Sequence, residues 1–386
     1  MNFSLSTLNS SFNKYFLPML FAAAMLCACR GEEDIIGSTT TPIAPSDSTS
    51  KEIKGFYLLN EGNMGSNKAS LDYFDYETGD YTKNIYAERN PGVVQELGDV
   101  GNDLQIYGNK LYAVINCSNF IEVMNVKDTK HIDVVSIPNC RYITFKDAYA
   151  YVSSYAGPVL LGDYRKGYVA KVDTATLEVV DTCVVGRQPE EMAIVGDKLY
   201  IANSGGYTPE RYDSTLSVID LNTFKEIKKI NVAINLHRVE VDKYGYLWVS
   251  SRGDYFNVPS RTFVIDPRTD KLVKTLDIAN SNMTLAGDSL YIYSNEFNYT
   301  TFETIKSFAI IDTKTQTVVD NNFIKDGTEK DIEVPYGLAV NPTTKEFFVT
   351  DAKDYVTPGK LHCYGPDGKR KWSVTTGDIP AHIAFY

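Results

Sequence analysis

Histidines, carboxylates and cysteines are the side chains from which catalytic or metal chemistry is usually built, and their spacing here builds none. The four histidines are His131, His237, His362 and His382, and no two have metal-ligand spacing. His131 and His362 fall in predicted outer strands, His382 in a strand near the C-terminus, and only His237 near a run of long loops. There is no Gly-x-Ser-x-Gly elbow and no Gly-rich phosphate loop ahead of a helix. Glu191 and Glu240 are the candidates for a carboxylate-plus-Asn calcium cluster, although a lone acid on such a strand is ordinarily capped by backbone amides. Cys117, Cys140, Cys183 and Cys363 lack redox or metal spacing. Cys117 and Cys140 either form a disulfide or remain two free thiols.

Binding chemistry is better represented. The chain has 27 Tyr against 2 Trp, and a rigid ring with a polar tip supplies contact area at little entropic cost. The candidate ligand-binding residues are Asn116, Arg141, Tyr142, Tyr155, Arg187, Tyr207, His237, Arg252, Tyr255, Tyr336, Asp354 and Tyr355. Together they suit a large, flat ligand with many amide or hydroxyl groups. The plain alternative for any one of these tyrosines is packing at a loop edge.

A repeat must position these residues. An aromatic-centred strand recurs at Phe56-Tyr57, Leu111-Tyr112, Ala150-Tyr151, Leu199-Tyr200, Leu247-Trp248, Leu290-Tyr291 and Phe347-Phe348. Asp-centred turns follow most copies, as in Asp173-Thr174-Ala175-Thr176 and Asp220-Leu221-Asn222-Thr223. Each unit spans roughly 40–55 residues and reads as four period-two strands, which is the pattern of a propeller blade. The first unit, from Phe56 to about Ile85, lacks an inner strand. Pro380-Ala381-His382-Ile383-Ala384-Phe385 matches the inner strands Pro335 to Val340 and Pro189 to Ile194, so the C-terminus supplies it. The expectation is an all-β, seven-bladed β-propeller over residues 54–386, closed by its last strand, rather than a β-sandwich pair or two domains. The long loops from second to third strands, among them 153–167, 203–214, 250–261, 294–306 and 351–359, then share one face, where function concentrates.

Residues 1–28 read as a lipoprotein signal peptide. Leu26-Cys27-Ala28-Cys29 resembles a lipobox, with Cys29 as the lipidated position; an ordinary signal peptide with a chance cysteine is the alternative. Arg30-Gly31-Glu32-Glu33-Asp34 resembles the signal that sends lipoproteins of Bacteroides-type bacteria to the outer face of the outer membrane, or is a solvated charge run. Residues 29–53 read as a flexible tether with a reach of about 25–30 Å. With 49 acidic against 38 basic side chains the net charge is −11, and loss of the leader with Lys14 makes it one more negative. That balance excludes nucleic acid as a partner and argues against a face lying on anionic lipid. Two Trp are too few for the docking motifs that quinone-dependent propellers carry on each blade.

Leu58-Leu59-Asn60-Glu61-Gly62-Asn63-Met64-Gly65-Ser66-Asn67-Lys68-Ala69-Ser70-Leu71, Leu97-Gly98-Asp99-Val100-Gly101-Asn102-Asp103 and the run from Tyr336 to Tyr355 resemble a family of surface lipoprotein propellers, YncE-like (DUF5074-type), from gut Bacteroides-type bacteria. The similarity covers essentially the whole mature chain. Among its members, the BtuG proteins capture vitamin B12 and pass it to the TonB-dependent transporter BtuB. The resemblance implies a non-enzymatic, surface-exposed, lipid-anchored cobalamin-binding protein of the outer membrane, partnered by a BtuB-like transporter, with cobalamin as cargo and no resident cofactor. A glycan- or peptide-binding surface lipoprotein and a propeller lactonase or hydrolase are the alternatives. On the cobalamin reading, Arg141, Arg187 and Arg252 are the phosphate partners. His237 is a hydrogen-bonded rim residue or, less simply, an approach to cobalt.

Overall fold

The computed structural model describes residues 37–43, 53–93, 96–162 and 164–386. Those residues form seven antiparallel sheets. Blades 2 to 7 each run inner to outer, in chain order, starting from inner strands Gly101–Tyr107, Cys140–Lys146, Pro189–Val195, Leu236–Val241, Asn282–Ala286 and Pro335–Val340. Each inner strand touches the next around a closed ring. In blade 1 the inner strand is the C-terminal Pro380–Phe385, which pairs with Gly55–Asn60 in the register Phe56 to Phe385 through Leu59 to His382. This is the closure expected from the terminal repeat, and it leaves no unpaired inner edge.

The aromatic pairs sit on the second strand of every blade because that strand is covered on both faces. Side chains alternate across a strand, so neighbours in sequence enter different inter-blade cores. Phe56 and Leu58 pack with Phe348 and Leu361 toward blade 7. Tyr57 and Leu59 pack with Leu111 and Ala113 toward blade 2. Trp248 is fully buried, and its indole N–H donates to Asp242 at 2.8 Å. The Asp turns join third to fourth strands as expected. The Asp173 carboxylate accepts from the Ala175 and Thr176 N–H groups at 2.8 and 2.9 Å, and Asp220 repeats the pattern with Asn222 and Thr223. A left-handed residue follows, Leu177 or Phe224, and lets the fourth strand turn back onto the third.

Two expectations change, and one open alternative is decided. The stretch read as tether contains a strand, Thr39–Pro42, which pairs with Asp80–Lys83 as a fifth, outermost strand of blade 1. Its side chains are exposed, so it joins the sheet through its backbone and one hydroxyl contact, Thr40 Oγ1 to Thr82 Oγ1 at 3.0 Å, and composition carries no signal of that. The segment 294–306 is no loop: Ser289–Asn298 and Glu303–Asp312 are ten-residue strands paired along their whole length. Finally, Cys117 and Cys140 are free thiols; the Cys140 Sγ donates to the Phe120 carbonyl at 3.4 Å inside a blade seam. Residues 1–36, including Cys29 and the acidic run after it, lie outside the described residues.

Candidate functional site

Six of the seven inner strands open with a register shift at the same end, and these shifts build the site. Between Cys140, opposite Ser154, and Ile143, opposite Val152, the residues Arg141 and Tyr142 face only Ser153. A β-bulge of this kind re-aims side chains. It also leaves a backbone N–H without its ladder partner, and a hydroxyl on the second strand takes it. Ser153 Oγ accepts from Tyr142 N at 3.1 Å, Ser250 Oγ from Arg238 N at 3.0 Å, and Thr350 Oγ1 from Gly337 N at 2.6 Å. The bulged pairs Arg141-Tyr142, Glu190-Glu191 and His237-Arg238 thereby converge at one mouth of the central channel.

Glu190, on blade 4, is the hub. It is 1% exposed and pairs with Arg141 of blade 3 at 3.2 Å and Arg252 of blade 5 at 3.3 Å. Tyr155 O–H and Ser204 O–H donate to the same carboxylate at 2.7 and 3.2 Å. Burial works to raise the Glu190 carboxyl, but the two guanidiniums and Tyr155 override it and hold it below the usual range. Next to it, Arg238 lies 3.5 Å from Glu191 and stacks on the Tyr142 ring with its guanidinium 5.2 Å from the centroid. His237 Nε2 and Tyr142 O–H are 3.0 Å apart. Burial, then the Arg252, Arg238 and Arg141 charges, push the His237 pKa well down, so its imidazole is neutral. Deeper along blade 5, burial and the like charges of Glu191 and Asp103 push Glu240 up to about 8.

Above this floor lies a pocket of ≈ 310 Å³, its lining including Arg141, Arg238, Arg252, His237, Tyr336 and Tyr355. Tyr336 O–H donates to Glu61 at 2.7 Å, and His382 approaches Glu61 at 3.5 Å, which ties blades 7 and 1 across the closure. Asn295 and Tyr355 also border an adjoining cleft of ≈ 450 Å³ over blade 6, walled by Tyr255, Phe297 and Tyr299. The cleft's outer wall is the long hairpin of blade 6. Tyr299 stacks on Phe256 of blade 5 at 5.3 Å, and the Tyr299 N–H donates to the Tyr255 carbonyl at 3.1 Å. Tyr255 and Tyr355 are matched: each follows an Asp whose carboxylate caps the loop, and each has a left-handed φ, 64° and 63°.

The structure brings together Arg141, Tyr142, Tyr155, His237, Arg252, Tyr255, Tyr336 and Tyr355. Tyr207 stands at the margin, its ring edge-on to Tyr155 at 6.3 Å. Arg187 is drawn off to the rim, donating to the Arg211 carbonyl at 2.5 Å and lying 6.0 Å from the Tyr164 ring. Asn116 bridges blades 2 and 3 through Asn139 and the Cys140 carbonyl at 2.6 and 2.8 Å. Asp354 caps its own loop through Val356 and Thr357. Glu190, Glu61 and Tyr293 were missed. A signal for the bulge was present in the aromatic-Val-Ser/Thr triplets Tyr151-Val152-Ser153, Trp248-Val249-Ser250 and Phe348-Val349-Thr350, whose hydroxyls mark where two inner-strand residues oppose one. Among the described residues no three His, Cys, Asp or Glu are grouped to hold a metal ion, and the two calcium-cluster candidates stand otherwise: Glu191 caps the Val239 N–H at 2.8 Å and Glu240 is pushed toward its neutral form.

Residues 54–364 match the family described as Domain of unknown function (DUF5074), and the chain belongs to that family. No curated protein matches. Among solved structures, the chain is similar to a putative 6-phosphogluconolactonase from Bacteroides fragilis at 13% identity, covering 88% of this chain and 100% of that one with a TM-score of 0.60. A quinonprotein alcohol dehydrogenase-like protein from Bacteroides thetaiotaomicron matches at 16% identity over 86% and 78%, TM-score 0.57. Hydrazine synthase of Kuenenia stuttgartiensis matches at 15% over 74% and 89%, TM-score 0.58. At such identities the likeness is one of fold alone.

Proposed function

We propose that this DUF5074 protein captures a corrinoid of the cobalamin class on its loop face and passes it, chemically unchanged, to a TonB-dependent transporter of the outer membrane. In this proposal Cys29 carries the lipid anchor and the domain faces outward beside the transporter. One observation carries the reading: the arginine-floored pocket and the tyrosine-walled cleft meet at Asn295 and Tyr355 to make one groove. A corrinoid with peripheral amides and a phosphate-linked nucleotide needs both kinds of wall, polar donors for its amides and phosphate and apolar ring faces for its flat rings. The chemistry of the floor supports retention of an intact ligand. Its histidine is held neutral beside a tyrosine; Glu190 and Glu191 are paired with arginines, Glu61 accepts from Tyr336, and Glu240 is pushed toward neutrality.

Isothermal titration of the mature protein with cyanocobalamin tests this. Saturable heat at micromolar protein is expected, with Tyr355→Ala and Arg252→Ala weakening binding. Absence of heat with cyanocobalamin overturns the corrinoid reading. Heat with a glycan or peptide in its place moves the groove to that ligand, and turnover of a lactone moves it to an enzyme.

A further inference from the structure

We infer that the groove is built for a bipartite ligand: a phosphodiester-type anion seated in the axial pocket on Arg141, Arg238 and Arg252, joined to a planar group lying between Tyr255 and Tyr355. This rests on the groove being the ligand site and specifies which part of a ligand each compartment takes. In a cobalamin the two parts are the nucleotide phosphodiester and the flat heterocycle it carries.

The anion half follows from an imbalance of partners. Arg141 and Arg252 share the single carboxylate of Glu190, at 3.2 and 3.3 Å, so two guanidiniums answer to one charge. Arg238 leans on Glu191 at 3.5 Å, and burial raises that carboxyl, which weakens its claim to a full charge. The Nε–H groups of Arg141 and Arg238 are buried without a hydrogen-bond partner. Unsatisfied buried donors are costly, and an entering acceptor is what a small rearrangement of these side chains would satisfy. The three guanidiniums come from blades 3 and 5. Donors arriving from separate elements suit a tetrahedral phosphate, whose oxygens diverge, better than a carboxylate, whose two oxygens lie in one plane.

The planar half follows from the matched loops. Tyr255 and Tyr355 stand on blades 5 and 7, each in the left-handed region behind an Asp cap, on either side of the cleft over blade 6. A non-glycine residue holds that conformation only where its surroundings fix it. Two loops fixing the same side chain type on both walls of one cleft is the arrangement expected for gripping a flat group. Tyr355 borders both compartments, so the anion and the flat group must belong to one ligand and be joined by a short link such as a sugar.

The test compares cyanocobalamin with dicyanocobinamide, which lacks the phosphodiester and its heterocycle, by titration of the mature full-length protein. Cobinamide is expected to bind ~100-fold or more weakly, and the ratio of the two affinities should collapse toward one in Arg238→Gln and Arg252→Gln. Arg252 is the less enclosed of the two and carries the test if Arg238→Gln does not fold. Equal affinities in the wild type, or variants that weaken both ligands equally, overturn the inference while leaving corrinoid capture standing. Should neither corrinoid bind, the proposed function falls and phenyl phosphate becomes the probe. A rise in Tm with millimolar phenyl phosphate, lost in Arg252→Gln and absent with benzyl alcohol, supports the bipartite site. No rise, or the same rise with inorganic phosphate, overturns it.

Discussion

Tyr57, Tyr112 and Tyr200 on the second strands are as buried as Tyr142 and Tyr155 at the channel mouth, yet the two sets answer to different partners. In the seams, Tyr57 O–H donates to the Val126 carbonyl at 2.6 Å and Tyr200 O–H to Asp270 at 2.9 Å, each at the repeated turn of a neighbouring blade. At the mouth, Tyr142 meets a neutral histidine and an arginine face, and Tyr155 meets an ionised glutamate held by two arginines. The seam contact is made at the turns of blades 2 and 5, whereas the Tyr112 hydroxyl at the matching position of blade 2 is buried without a partner, so the seams share packing more than hydrogen bonds. The mouth contact does not recur: each of the six shifted inner strands places a different residue at the bulge, Asn102, Arg141, Glu190, His237, Tyr336 or Ala381. On the proposed function, a repeat that is regular where blades pack and irregular where they converge separates stability from recognition within one architecture.

The sharpest break of that division is a seam residue against a groove residue. Trp248→Ala removes a fully buried indole and should cost about 3–5 kcal/mol by denaturant unfolding. Tyr355→Ala removes a ring that is 41% exposed and should stay within about 0.5 kcal/mol while weakening corrinoid binding. If the two variants lose comparable stability, the groove is part of the core and the division fails. Next in size is Glu190→Gln, which leaves Arg141 and Arg252 without their shared charge. A loss of about 3 kcal/mol is expected, together with weaker ligand binding as the guanidiniums lose their fixed positions. An unchanged unfolding curve would show that the ion pairs contribute little and that packing alone shapes the floor.

Sequence reasoning reached the seams almost completely because their signal is periodic. Alternating apolar strands, Asp turns and a terminal strand matching inner strands elsewhere determine blade number and closure. It reached the mouth unevenly. Arg141, Tyr142, His237 and Arg252 are visible as residues on the face of the long loops, but nothing in composition shows that Arg187 folds away toward Arg211 while Arg238 turns inward. That choice depends on one-residue register shifts, and a shift of one flips a side chain to the other face. Glu190 escaped for the same reason: next to Glu191 in an alternating strand only one of the two should face the channel, and the bulge brings both. The Thr39–Pro42 strand was illegible because its exposed side chains bury no apolar surface.

A smaller effect separates the deep channel from the groove above it. Glu240 stays protonated in the fold to about pH 8, whereas in the unfolded chain its carboxyl ionises at the ordinary 4.5. The folded state therefore binds the extra proton across that window, and stability falls as pH rises from 4.5 toward 8. Glu240→Gln should flatten the decline in Tm between pH 5 and pH 8. A decline as steep as the wild type's would assign it to another group, Glu191 being the next one raised by burial.

The smallest effect on stability should come from Asp354, and it tests whether the groove tyrosines are placed or merely present. The Asp354 carboxylate accepts from the N–H groups of Val356 and Thr357 at 3.0 and 2.8 Å and from the Thr357 hydroxyl at 2.9 Å. These donors hold its pKa down at about 2, so the cap is intact at every pH above the ordinary carboxylate range and is lost as pH falls through about 2. Asp254 closes the partner loop in the same way through Phe256, Asn257 and Val258. Asp354→Ala removes the cap from an exposed loop, so Tm should scarcely move. Tyr355, however, loses what fixes its left-handed backbone and samples other orientations before binding. Ordering it then costs affinity, on the order of a few-fold, and the loss should appear without any change at Tyr355 itself. The comparison that decides is the double variant. If Asp354 acts only by placing the ring, then Asp354→Ala added to Tyr355→Ala weakens binding no further; additive losses would mean that the carboxylate touches the ligand directly.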